Sequence, residues 1–151
     1  RSNTFDAVIC LDVLYHRGVD RPKALQEINR VLKPDGLFYS QEPAYNWLRS
    51  LHDIAIETGK RFSANELKHL LKKSGFEIIK TSHFNLIFLP IIILKRYKDK
   101  IFAVKLDSSD VSKLPSIIEK IFKICLILET YIFRITNLPL GLSIITITKK
   151  I

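Results

Sequence analysis

The sequence predicts an α/β fold built on an open, mainly parallel sheet, and three observations carry that prediction. Phe5-Asp6-Ala7-Val8-Ile9-Cys10-Leu11-Asp12 is a short, nearly continuous apolar run ending in a carboxylate, the pattern of a strand covered on both faces. A segment of helical period follows, with Ala24, Leu25, Ile28, Val31 and Leu32 on one face. Leu37-Phe38-Tyr39-Ser40-Gln41 then reads as a second strand. Strand, helix and strand with short connections form a right-handed βαβ unit.

Each element has local reasons. Asp20 is placed to cap the first helix, and Pro22 falls in its first turn, where a missing amide hydrogen costs nothing. Lys33-Pro34-Asp35-Gly36 stops that helix and turns the chain. Ser63-Ala64-Asn65-Glu66 is a capping box, Leu67, Leu70 and Leu71 supply the apolar stripe behind it, and Gly75 is the left-handed cap that ends the helix. Phe76 to Thr81 is a third strand, less uniformly apolar and so nearer the sheet edge. Parallel strands are expected near 5–11, 36–41 and 76–82. A β-branched terminal strand is expected near 143–149. Between the two units, residues 42–61 have no clear period; Tyr45, Trp47, His52, Asp53 and Arg61 suit a site loop or a short helix.

The stretch from Phe84 to Leu94 is strongly apolar but only about a dozen residues long, and a bilayer-spanning helix needs roughly 20. Pro90 interrupts it, and Lys95, Arg96, Lys98 and Lys100 follow. A longer helix is predicted from Pro115 to Ile135. Its Glu119, Lys120, Lys123, Thr130 and Arg134 share one side, Ile117, Ile118, Ile121, Cys125, Leu128 and Ile132 lie away from them, and Glu129 stands apart from the polar stripe. Such an apolar face fits a core helix, a dimer surface or an interfacial membrane helix.

Composition narrows the classes. The chain has 151 residues, 47% hydrophobic, with five Gly, six Pro and two Cys, which argues against disorder, collagen and a disulfide scaffold. Cys10 and Cys125 are too far apart for a close metal-ligand spacing and read as two reduced thiols, as in the cytoplasm. No Met occurs and the first residue is Arg, so a piece of a longer chain is expected. The net charge is +9, with 13 basic and 10 acidic groups in residues 1–83 but 11 and 5 in residues 84–151. A basic, apolar second part fits an anionic membrane surface, nucleic acid, or a core helix with a solvated flank. Without an RGG, zinc-knuckle or aromatic-basic motif, nucleic-acid binding is not expected. No zinc cluster, P-loop, nucleophile elbow or paired-carboxylate arrangement is present, and nothing demands a metal.

The order of elements resembles the C-terminal half of a class I S-adenosylmethionine-dependent methyltransferase. The resemblance rests on Leu11-Asp12-Val13-Leu14-Tyr15-His16 after the first strand, on Arg30-Val31-Leu32-Lys33-Pro34-Asp35-Gly36, on the capped helix ending at Ser74-Gly75-Phe76, and on the late strand. Glu42-Pro43-Ala44-Tyr45-Asn46-Trp47, Ser50-Leu51-His52-Asp53, Lys60-Arg61-Phe62-Ser63 and Leu138-Pro139-Leu140-Gly141-Leu142-Ser143 are similar to the branch found beside glycosyltransferases in bacterial surface-glycan pathways. It implies a Rossmann-like methyltransferase sheet, C-terminal half only, across residues 1–151, with an apolar, basic helical insertion at 84–140. It further implies that the last strand runs antiparallel between its neighbours. The five glycines form no GxGxxG cluster, so the glycine-rich cofactor loop of that family is missing. This chain alone is expected to bind the cofactor weakly or not at all.

Carried over by position, the resemblance places Cys10 and Leu11 beside S-adenosylmethionine through backbone atoms, Asp12 at the cleft mouth, and Tyr15 and His16 toward the sulfonium and acceptor, beyond the strand ends where open α/β sheets bind ligands. His16 or Asp12 would serve as base if the acceptor is a hydroxyl. Each has a plain structural alternative: a loop carboxylate capping amides, a surface-loop histidine, a packing tyrosine. The resemblance puts His52, Asp53 and Arg61 over the acceptor, Arg61 for a phosphate or carboxylate and Tyr45 or Trp47 stacking on a sugar or lipid; the alternative has Trp47 packed on the sheet and the charges solvated. Three readings stand: a methyltransferase acting on a small-molecule, glycan or lipid-linked acceptor; a non-catalytic module docking on a membrane or partner through 84–135; and a pseudo-enzyme. A cytoplasmic protein, peripheral at the inner membrane face, is expected. An uncovered sheet face and edge predict poor solubility or a homodimer.

Overall fold

Two strands, β1 (Phe5–Leu11) and β2 (Leu32–Pro43), run parallel and are joined by α1 (Arg21–Val31). The computed structural model describes residues 1–49, 53, 58–102 and 115–151. Asp20 caps α1 by accepting from the Lys23 amide, with Pro22 in the first turn. The second strand starts earlier than the expected residue 36, because the fully buried Leu32 already pairs with Phe5. The turn chemistry of Lys33 to Gly36 survives as a break in register between Phe5 and Ala7, with Asp35 at φ 61.

Next come α2 (Ala64–Lys73) and β3 (Phe76–Phe84). Both halves of the Ser63–Glu66 capping box form, and Gly75 ends the helix at φ 81, where a side chain would be strained. Two further helices, α3 (Phe88–Phe102) and α4 (Ser116–Ile135), precede β4 (Ser143–Lys150). Pro90 is tolerated because it lies in the first turn of α3, before any i−4 acceptor is needed.

The sheet order is β1-β2-β4-β3, and β4 runs antiparallel to both neighbours, with Tyr39 opposite Ile147 and Thr81 opposite Thr146. The expected insertion of the last strand is therefore present. On one sheet face Phe38 meets Phe76 at 5.3 Å between ring centroids, and Leu25, Leu67, Leu71 and Ile144 complete a core under α1 and α2. Across the sheet, Ile9 is 69% exposed, and Leu11 and Leu37 are exposed too. Among the described residues β1 pairs on one side only. Cys10 is buried and Cys125 only partly so, and both are free thiols.

Candidate functional site

At the end of β1 the chain turns sharply. Asp12 sits at φ 52 and donates its amide to the Gln41 carbonyl at 2.8 Å. Left-handed backbone at a non-glycine residue beside a strand end is the kind of local cost that sites retain. The loop that follows is clamped from β2: Glu42, fully buried, accepts from the amides of Leu14 and Tyr15, each at 3.0 Å. On the loop's far side the Tyr15 carbonyl accepts from Gly59 and Lys60, at 2.9 and 3.2 Å, and His16 bridges to Thr58.

A second arm comes from the segment after β2. Phe62 donates to the Pro43 carbonyl at 3.0 Å and accepts from the Tyr45 amide at 3.0 Å. This places Arg61 over Asp53: Nε and Nη2 lie 2.9 and 2.8 Å from Oδ1, while Nη1 donates to the Ala44 carbonyl at 3.2 Å. A third arm, Leu142, accepts from the Ala44 amide at 2.8 Å and leads into β4. The arms, with the β3–α3 turn and α3, border an open cleft of about 330 Å³ lined by Asp12, Tyr15, Pro43, Asp53, Arg61, Asn85, Ile92, Arg96, Leu142 and Ser143.

Four of the candidate residues thus share one pocket beyond the strand ends: Asp12, Tyr15, Asp53 and Arg61. The others take different places. Cys10 points into the core, and burial pushes its thiol up to about 11, with Glu42 and Asp12 adding to the effect. Leu11 is exposed on the opposite sheet face. His16 stacks on Tyr15, with ring centroids 4.3 Å apart, and does not line the cavity. Tyr45 stacks on His83 at 5.5 Å, and Trp47, tilted against Tyr45 at 5.6 Å, is 66% exposed rather than packed on the sheet. His52 lies outside the described residues. Sequence reasoning missed Glu42, Asn85, Ile92 and Arg96. A glutamate directly before a proline at the end of an apolar strand was the available signal for the first, whereas nothing local marks the other three.

The electrostatics follow from partial desolvation at the strand ends. Burial raises the Asp12 carboxyl above its ordinary value, against the pull of the Gln41 side chain, Arg61 and His16. Burial also lifts Tyr15. For Glu42 burial outweighs the three backbone amides of Leu14, Tyr15 and Val13, and its carboxyl is pushed up to about 7. Among the described residues no group of three or more His, Cys, Asp or Glu gathers to hold a metal.

Asp53 is 2% exposed and shares its Oδ1 with two nitrogens of Arg61. Arg61→Ala is therefore expected to destabilise the protein by about 2 kcal/mol, chiefly because a buried carboxylate loses its cation. Urea unfolding with Asp53→Asn and the double variant checks this; full additivity would mean that the two side chains are not coupled.

Comparison with known proteins puts this geometry in context. Mouse arginine-hydroxylase NDUFAF5, mitochondrial, is 34% identical over 91 residues, covering 52% of this chain and 26% of that protein. The chain thus spans about a quarter of the length of the curated relatives it matches. A structure of Haemonchus contortus phosphoethanolamine N-methyltransferase 2 in complex with S-adenosyl-L-methionine superposes with a TM-score of 0.56 at 17% identity, covering 99% of this chain and 34% of that one. A SAM-dependent methyltransferase of Thermotoga maritima gives 0.55 at 16% identity, covering 100% and 58%. At such identities these structures establish the Rossmann-like fold alone. The family model described as a methyltransferase domain matches residues 1–81, more than half of the chain, and the chain belongs to that family.

Proposed function

We propose that this chain carries the acceptor side of an S-adenosylmethionine-dependent methyl transfer to a small-molecule, glycan or lipid-linked acceptor. The observation that carries the reading is the convergence of Asp12, Tyr15, Asp53 and Arg61 on one cavity beyond the carboxyl ends of β1 and β2, in a member of the methyltransferase-domain family. Ligands of open α/β sheets lie at such ends.

The residues present fit one wall of a sulfonium site. Asp12 offers a carboxylate and Tyr15 an aromatic ring at the same cavity, a pairing that favours a cationic centre. S-Adenosylmethionine supplies an electrophilic methyl group when bound, and a solved neighbour holds it. Asp12 and Tyr15 would hold that group, with the backbone of Cys10 and Leu11 along its edge. Asp53 and Arg61 would orient the acceptor from across the cavity, and the exposed Trp47, backed by Tyr45, would stack on a sugar or lipid portion that reaches beyond it. If the acceptor is a hydroxyl, its proton passes to Asp12, the candidate base that lines the cavity, and not to His16, which stacks outside it. The raised Asp12 carboxyl suits a base at neutral pH better than an ordinary carboxylate does. No described helix is long and apolar enough to cross a membrane; the proposed setting is the cytoplasm, at or near the inner membrane face.

Calorimetric titration of S-adenosylhomocysteine into the gene's full product tests the reading. Binding is expected, with Asp12→Ala weakening it on the order of tenfold. Absence of binding, in a product shown to be folded, would overturn it in favour of a non-catalytic docking module.

A further inference from the structure

The face of α4 turned away from the protein has its own chemistry. Only Glu129 of this helix's 20 residues is buried. The inward side is fixed by Phe122 against Phe88 at 4.9 Å, by the Leu86 amide donating to Glu129 at 2.9 Å, by Phe133 edge-on to Phe84 at 6.3 Å, and by Lys80 on the Phe133 carbonyl. Pointing the other way are Ile117, Ile121, Ile124, Leu128, Tyr131 and Ile135, all more than half exposed. Their intervals of four and three residues keep them on one line roughly 27 Å long. Among the described residues nothing covers this stripe.

Charge then separates the occupants. One flank of the stripe carries Lys120, Lys123 and Arg134 with Glu119 as its one acid, and α3 separately exposes Ile91, Leu94 and Tyr97. Residues 84–151 as a whole hold 11 bases and 5 acids. A second copy packed antiparallel on the stripe would bring like charges together along that flank, whereas an anionic lipid surface complements it while taking up the apolar stripe. We propose that α4 lies flat in the headgroup region of an anionic bilayer, its isoleucine stripe inserted and its lysines among the lipid phosphates. This docking does not depend on methyl transfer and is read without cofactor.

Flotation of the gene's full product with vesicles of phosphatidylcholine, with and without phosphatidylserine, tests it. Binding is expected with phosphatidylserine and is expected to weaken with added salt. Lys120→Gln and Lys123→Gln should each lower the partition coefficient by about fivefold. Ile124→Asp combined with Leu128→Asp should lower it on the order of a hundredfold; because both side chains are exposed, the helical circular dichroism should not change. No flotation, or flotation indifferent to the double aspartate variant, overturns the proposal. A dimer in sedimentation that the same variant dissolves, without flotation, also overturns it and assigns the stripe to a second copy.

Discussion

Gly141→Ala is expected to lower the unfolding free energy by about 3 kcal/mol, which at an m-value of roughly 1.5 kcal/mol/M moves the urea midpoint down by about 2 M. A Cβ at this position would stand 2.3 Å from the Phe84 carbonyl oxygen and 2.8 Å from both the carbonyl carbon and the amide nitrogen of the same residue. All three are backbone atoms, so no side-chain rotation relieves the clash. Nor is the backbone free to retreat. Phe84 pairs with Ser143, the His83 amide donates to the Leu138 carbonyl at 3.0 Å, and the Leu138 amide donates to the Ser82 hydroxyl at 2.8 Å. The penalty reaches the site as well, because Leu142 and Ser143 line the cavity and Leu142 accepts from Ala44. Gly18→Ala is the control: nothing lies within 4 Å of its added carbon, and a change within about 0.5 kcal/mol is expected. Equal effects from the two substitutions would mean that the approach of residue 141 to β3 is not tight.

That contact shows where sequence reading stops. The capped helices were readable because their signals are local: Asp20 before Pro22, Ser63 three residues before Glu66, and Gly75 at the helix exit each act on amides within one turn. The strand β1 was readable from continuous apolarity, although its outer face proved exposed at Ile9 and Leu11. Insertion of β4 between β2 and β3 came from the family resemblance, since a β-branched run says nothing of its neighbours. Gly141 carried no such signal. Its need for glycine arises from a strand end 57 residues earlier in the chain, and no local pattern encodes that distance. The start of β2 was misplaced for a related reason: Leu32 belongs to the strand because Phe5 pairs with it, not because of its own flanking residues.

The site divides in the same way. Asp12 and Tyr15 came from the family resemblance, which carries the end of β1 onto a ligand-binding strand end, and the same resemblance singled out Asp53 and Arg61 in a segment without a clear period; all four line one cavity. Asn85, Ile92 and Arg96 reach the same cavity from the β3–α3 turn and from α3, where their types match an ordinary turn and an ordinary helix. Tyr45 and Trp47 were picked for their rings, but the structure spends Tyr45 on a stack with His83.

Replacement of Glu42 should expose how this site is held. Glu42→Leu removes the acceptor of the buried Leu14 amide and of the half-buried Tyr15 amide, and is expected to cost about 3 kcal/mol. Glu42→Gln keeps one acceptor oxygen, sets an NH2 donor against the other backbone amide and removes the titration, so the pH dependence of its difference from the natural residue, and not the difference itself, reports the charge. The folded carboxyl is pushed up to about 7 from an ordinary 4.5, burial being the largest cause. Folding therefore favours the protonated form. The stabilisation this group gives is fully present below about pH 4.5 and is lost as pH rises through about 7. Across that window the stability of the natural protein relative to Glu42→Gln is expected to fall by roughly 3 kcal/mol as pH increases, which paired urea titrations at several pH values would measure. A difference that stays flat would mean that the amides of Leu14, Tyr15 and Val13 hold the carboxylate ionised against its burial. The loop that carries Asp12 and Tyr15 to the cavity would then be fixed by a charge at the end of β2, with a hold that does not change across that window.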